Sequence, residues 1–117
     1  MAGYLTTHVL DTARGRPAAG LSLTLSLIDA GVHHLIAQAV TNHDGRTNTP
    51  ILPEKSFKPG QYELVFHAGR YLRSNGLVTD DILFLDDIPI RFGLDQNAHY
   101  HVPLLLSPFG YSTYRGS

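Results

Sequence analysis

Leu21-Ser22-Leu23-Thr24-Leu25-Ser26-Leu27 alternates leucine with a small hydroxyl residue over seven positions. A period of two puts every leucine on one face of a strand and every hydroxyl on the other, whereas a helical period would scatter the leucines around its circumference. The stretch predicts a strand with one face in a core. The same alternation recurs at Leu5, Thr7 and Val9, at Leu35, Ala37 and Ala39, and at Tyr62, Leu64 and Phe66. It recurs again at Ile88, Ile90 and Phe92, at Tyr100, Val102 and Leu104, and in the β-favouring run Tyr111-Ser112-Thr113-Tyr114. Between these runs lies turn chemistry: Gly15-Arg16-Pro17 with Gly20, Asn42-His43-Asp44-Gly45, Lys58-Pro59-Gly60, and Ser107-Pro108-Phe109-Gly110. Short strands at this spacing predict an all-β, two-sheet sandwich. One segment departs from the pattern. Ala68 to Gly76 carries Tyr71, Leu72 and Asn75 at helical spacing and ends in glycine, which predicts one short helix. Thr79 to Asp87 reads as a loop anchored by Phe84 and Leu85.

A chain of 117 residues with 43% hydrophobic content suits a single domain, 1–117, able to bury one core. The formal charge of -1 supplies no basic field for a phosphate backbone, so nucleic acid is not an expected partner. No apolar run approaches the roughly 20 residues of a membrane span, and the start is polar. A cytoplasmic chain with no membrane association is expected. The absence of cysteine excludes a disulfide framework, a thiol nucleophile and a cysteine-based zinc site. Seven histidines remain the candidates for chemistry near neutral pH.

Strand parity selects among them. With Leu5 and Val9 facing the core, Thr6, His8 and Leu10 face away; with Tyr100, Val102 and Leu104 facing the core, His99, His101, Pro103 and Leu105 face away. An outward face holding Leu10, Pro103 and Leu105 is too apolar for open water and predicts a subunit interface or a ligand groove. Partial desolvation there lowers the pKa of His8 and His101 and favours the neutral imidazole that a general base requires. His33, His34 and His43 fall in or beside turns, and His67 ends a strand without a supporting motif. The final Tyr114-Arg115-Gly116-Ser117 follows a strand-like run that would hold it against a sheet.

Three blocks carry a family resemblance: Leu5-Thr6-Thr7-His8-Val9-Leu10-Asp11 followed by Gly15-Arg16-Pro17-Ala18; Asn42-His43-Asp44-Gly45-Arg46; and His99-Tyr100-His101-Val102-Pro103-Leu104-Leu105-Leu106-Ser107 running into the terminal Tyr-Arg-Gly-Ser. The chain resembles, over nearly its whole length, the transthyretin-related 5-hydroxyisourate hydrolases of purine breakdown. The resemblance implies an eight-stranded transthyretin-like sandwich, assembled as a homotetramer (a dimer of dimers) with sites in the grooves where dimers meet. It implies a small-molecule substrate, 5-hydroxyisourate, and catalytic residues at His8, Arg46, His101 and Ser117. Direct hydrolysis of this kind calls for no cofactor.

The chemistry suits those residue types. A neutral imidazole, His8 or His101, takes a proton from water, and the planar fork of Arg46 suits ring carbonyls and a developing oxyanion. Ser117 is expected to orient water or substrate through its hydroxyl or its carboxylate, since no nucleophile elbow surrounds it. Tyr114 and Arg115 are expected to hold the tail in the groove, Tyr114 against substrate. The competing use of His99, His101 and His8 is zinc chelation, for which no acidic or thiol ligand appears at a recognisable spacing. A carrier of the transthyretin type would share the fold but should line its groove with aliphatic and small residues.

Overall fold

Alternation becomes burial in β1 (Tyr4–Asp11), where Leu5, Thr7, Val9 and Asp11 are buried and Tyr4, Thr6, His8 and Leu10 are only partly covered. Each fully buried leucine or valine contributes about 1.5–3 kcal/mol relative to exposure, which fixes the register against a one-residue slip. The computed structural model describes residues 3–116. The expectation for Ser117 lies outside the described residues.

The remaining elements are β2 (Arg16–Pro17), β3 (Ser22–Asp29), β4 (Val32–Val40), β5 (Gly60–His67), α1 (Ala68–Ser74), β6 (Asp87–Leu94), β7 (His99–Ser107) and β8 (Gly110–Thr113), with one 3₁₀ turn at Glu54–Ser56. They form two four-stranded sheets in the orders β2-β1-β7-β8 and β4-β3-β5-β6. The all-β sandwich with one short helix stands as the sequence predicts. Between the sheets lies one cluster of buried residues that includes Leu5, Val9, Leu21, Leu23, Leu25, Tyr62, Leu64, Phe66, Leu104 and Leu106. No helix among the described residues is long and apolar enough to cross a membrane.

Neighbours pair antiparallel except β1 and β7, which run parallel with Tyr4 opposite His99, Thr6 opposite His101, His8 opposite Pro103 and Leu10 opposite Leu105. This pair sits at the centre of its sheet, so the two outward rows identified from parity become adjacent columns. The helix ends as its sequence requires: Asn75 caps it, Gly76 takes φ of 70°, and the Leu77 N–H donates to the Leu72 carbonyl.

Four expectations need correction. Arg16–Pro17, read as part of a turn, forms the two-residue edge strand β2, a position where proline's missing N–H is tolerated. His33 and His34 lie within β4, just after the Ala30–Gly31 turn rather than in it. Leu35 does not face the core and is 57% exposed, because the register against β3 steps from Leu25–Ala37 to Ser26–Leu35 and leaves Ile36 as an extra residue that inverts the parity beyond it. Phe84 does not anchor its loop in the core; it is 75% exposed and rests against Phe109, while Leu85 does pack on the core.

A polar network ties the end of β1 to the helix. Asp11 is buried, and its carboxylate accepts from the Tyr71 hydroxyl (2.7 Å), the Arg14 Nε (2.9 Å) and the Arg14 backbone N–H (3.0 Å). Burial alone would raise its pKa, but the hydrogen bonds from Tyr71 and Arg14 together with the guanidinium charge hold it below the ordinary value. The Tyr71 hydroxyl in turn accepts from Arg14 Nη2 at 2.7 Å.

Candidate functional site

The outward columns of β1 and β7 are met on one side by the segment that follows β4. Its Asn42 side chain accepts from the N–H groups of Asp44 (2.9 Å) and Arg46 (3.2 Å), folding the turn back on itself. Gly45 takes φ of 77°, and a Cβ there would collide with the Val9 carbonyl oxygen. Only glycine lets the turn lie against β1, where the Val9 N–H donates to the Gly45 carbonyl at 2.8 Å. Arg46 thereby bridges to His8.

A second bridge joins Leu5 to Leu52. Between these two anchors β1 advances from residue 5 to residue 8 while the facing segment advances from 46 to 52. The longer side must arch away from the sheet. The arch and the strand enclose a cleft of about 400 Å³ lined by Tyr4, Thr6, Arg46, Asn48, His99 and His101 among others, a size that suits a small ligand.

On its floor the Thr6 hydroxyl lies 2.8 Å from His99 Nε2 and 2.8 Å from His101 Nδ1. The Tyr4 and His99 rings stack with centroids 4.1 Å apart and planes 8° apart. His101 is partly buried and its pKa is lowered, first by desolvation and then by the charges of Arg46, His8 and His99. His8 is likewise pressed down, first by burial and then by Arg46, against the opposing pull of the Asp44 carbonyl and carboxylate. Its Nε2 lies 2.9 Å from that carbonyl. A carbonyl can only accept, so His8 Nε2 carries the hydrogen and Nδ1 holds the free lone pair.

Arg46 is exposed, and among the described residues its guanidinium has no hydrogen-bond or ion-pair partner. The tail lies along β7. Thr113 donates from its hydroxyl to the Pro103 carbonyl (2.7 Å), and the Gly116 N–H donates to the His101 carbonyl (2.7 Å). The Arg115 guanidinium lies 4.5 Å from the centroid of the Tyr100 ring. A Cβ on Gly116 would fall 2.6 Å from His101 Cδ2, so this glycine permits close approach to the histidine ring.

The structure thus gathers His101 and Arg46 on the cleft and sets His8 at its rim beside Asp44. Tyr114, expected against substrate, is 59% exposed and does not line the cleft. Pro103, expected to contribute to an outward apolar patch, is already buried within the chain, whereas Leu10 and Leu105 remain partly open. Among the described residues no three histidine or acidic side chains converge as a metal site. Sequence reading missed Tyr4, Thr6 as a partner of both histidines, and the wall after Arg46. Parity had already turned Thr6 outward, but only the parallel register sets it opposite His101.

Comparison with known proteins places the chain by sequence and by fold. The chain is 57% identical over 116 residues to 5-hydroxyisourate hydrolase 2 of Rhizobium meliloti, covering 98% of this chain and 97% of that protein. The crystal structure of (S)-allantoin synthase matches with a TM-score of 0.91 and 47% identity, over 98% of this chain but only 44% of that longer one. Sea bream transthyretin in complex with thyroxine matches with a TM-score of 0.84 and 30% identity, over 96% of this chain and 93% of that chain. The sequence model of the HIUase/Transthyretin family spans residues 5–116, and the chain belongs to that family.

Proposed function

We propose that the protein hydrolyses 5-hydroxyisourate, opening the six-membered ring at N1–C6 to give 2-oxo-4-hydroxy-4-carboxy-5-ureidoimidazoline in urate degradation. The observation that carries the reading is the cleft itself: two imidazoles held toward their neutral forms beside an exposed guanidinium, in a chain 57% identical to a named hydrolase of this substrate. A neutral histidine removes a proton from water, the oxygen attacks C6, and the C6–N1 bond breaks as N1 takes up a proton. General-base assistance of this kind contributes about 10²–10⁴-fold. Arg46 supplies donors to the oxygen that becomes negative as the tetrahedral centre forms. Ser117 is assigned to orienting water or substrate through its hydroxyl or its carboxylate.

The half-covered Leu10 and Leu105, opposite one another on the face that bears the site, support assembly as a homotetramer in which a neighbouring subunit covers the groove. Transport of an apolar aromatic ligand fits this groove poorly, because imidazole nitrogens and a guanidinium would be left unpaired against it. The direct test follows the ultraviolet decay of 5-hydroxyisourate freshly made by urate oxidase. Purified protein is expected to accelerate the decay well above the spontaneous rate, and an unchanged rate refutes the hydrolase assignment. Light scattering coupled to size exclusion reads the assembly, with a monomer at assay concentration refuting the tetramer.

A further inference from the structure

The Thr6 hydroxyl has one hydrogen and two histidine nitrogens within hydrogen-bond distance, His99 Nε2 and His101 Nδ1, each at 2.8 Å. The alternative acceptor, the Tyr100 carbonyl, is 3.5 Å away and too distant to compete. With the Thr6 hydrogen shared within this trio, one imidazole donates to Thr6 and the other accepts from it. Two orders satisfy the geometry. In the first, His101 Nδ1–H donates to Thr6 and Thr6 donates to His99 Nε2, leaving the His101 Nε2 lone pair free. In the second the direction reverses, and His101 Nε2 carries a hydrogen.

We propose that Thr6 is a positioning residue that fixes His101 in the first order, with His99 as the terminal acceptor, so that His101 Nε2 is the atom that removes the proton from water. This rests on the hydrolase reading above. Two features of the site favour that order. Once Nε2 has gained a proton, both His101 nitrogens carry hydrogen, and only the first order then leaves Thr6 an acceptor for Nδ1–H. His99 is the more exposed of the two rings and is held flat by Tyr4, so it presents Nε2 toward the hydroxyl in a fixed plane. No proton leaves the network in the positioning step: the Nδ1 hydrogen stays on His101 and the hydroxyl hydrogen stays on Thr6.

The test uses Thr6→Val, which keeps the branched shape and removes the hydroxyl, and Thr6→Ser, which keeps the hydroxyl. Thr6→Val is expected to lower kcat about 10- to 100-fold, part of the about 10²–10⁴-fold that general-base assistance supplies, with KM changed less than threefold. Thr6→Ser is expected to recover most of the loss. Long-range proton–nitrogen NMR of histidine-labelled protein reads the tautomer without reference to turnover: the wild type should carry the His101 hydrogen on Nδ1, and Thr6→Val should lose that preference. A wild-type hydrogen on Nε2, or a Thr6→Val enzyme with kcat within twofold of wild type, overturns the proposal. Should the wild type fail to accelerate 5-hydroxyisourate decay, the hydrolase reading falls, and the NMR result still decides the order of the hydrogen bonds.

Discussion

Replacing Gly116 by alanine tests whether the tail is part of the working site. The φ of Gly116 is not in the left-handed region, so the substitution meets no backbone penalty and its whole effect is steric. The added Cβ would lie 2.6 Å from His101 Cδ2, 3.1 Å from its Cβ and 3.2 Å from its Cγ. Reaching an ordinary carbon–carbon contact of about 3.5–4.0 Å requires the tail or the ring to move by about 1 Å. If the tail moves, the 2.7 Å bond from the Gly116 N–H to the His101 carbonyl stretches beyond useful length, at a net cost of about 0.5–1.5 kcal/mol. If the ring moves, a proposed base is displaced by a distance that costs up to about 10²-fold in rate. Either path lowers kcat/KM for 5-hydroxyisourate, and the expected loss is about 10- to 100-fold. Global stability should fall by no more than that one hydrogen bond's contribution of about 0.5–1.5 kcal/mol, since Gly116 lies beyond the last strand. Gly110→Ala is the matched control, because a Cβ there meets only Ser107 Oγ at 3.7 Å. The measurement is steady-state turnover beside a thermal melt for both variants. A Gly116→Ala enzyme indistinguishable from Gly110→Ala and wild type refutes any role for the docked tail.

Arg46→Ala should lower kcat about 10²–10³-fold, the usual cost of removing one donor to a developing oxyanion, and His101→Asn should lower it about 10²–10⁴-fold. Both are expected to keep the wild-type circular dichroism spectrum, and more than a tenth of wild-type turnover in either would remove that residue from the proposed chemistry. In the pH profile of kcat/KM, the acid limb should have its midpoint below the ordinary imidazole value of 6.5, because burial and the neighbouring positive charge both disfavour the protonated rings. The sign is such that activity falls as pH drops through the lowered pKa, and Arg46→Ala, by removing one positive charge beside His8 and His101, should move the midpoint upward; a wild-type midpoint at or above 6.5 contradicts the electrostatics. Tyr71→Phe removes a hydroxyl that donates to Asp11 and accepts from Arg14. It should cost about 1–3 kcal/mol, seen as a drop of about 4 °C in Tm per kcal/mol, with kcat unchanged; a melt within 1 °C of wild type would show that the network is dispensable.

The readable parts of this fold are those in which one period governs a whole strand. Leu21 to Leu27 and Leu5 to Val9 each hold one face against the core, so a parity error would expose every leucine at once and the alternation is unambiguous. Leu35 was misread for the complementary reason. A bulge at Ile36 changes the parity within β4, and nothing in His33-His34-Leu35-Ile36 marks it, since this edge strand is exposed and little burial enforces the alternation. Arg16–Pro17 is too short to carry a period at all. Phe84 lies in a segment without periodicity, where hydrophobicity alone does not distinguish a residue that enters the core from one that rests on another exposed ring.

The site divides along the same line. His8 and His101 were legible because each shares a strand with leucines whose burial dictates which way the histidine points. Arg46 lies outside that logic and only the family resemblance selected it, while the tail was marked by the β-favouring run before it and given its role at Ser117 by the resemblance. In space, a glycine at φ of 77° seats the turn that presents Arg46, and a second glycine lets the tail approach His101. Neither requirement follows from periodicity. Thr6 shows where parity stops being informative: the period turns it outward beside His8, but its relation to His99 and His101 depends on β1 and β7 being neighbours, parallel, and in a register that sets residue 6 opposite residue 101. A shift of that register by two residues would preserve every buried leucine's facing and still separate the hydroxyl from both of its 2.8 Å partners. Core burial fixes facing but leaves even-numbered slips open. The eight-pair ladder between β1 and β7 sets Thr6 opposite His101, while the bridges at Leu5–Leu52, His8–Arg46 and His101–Gly116 bring the loop to β1 and the tail to β7, so that backbone pairing as well as core burial decides which side chains meet in the cleft.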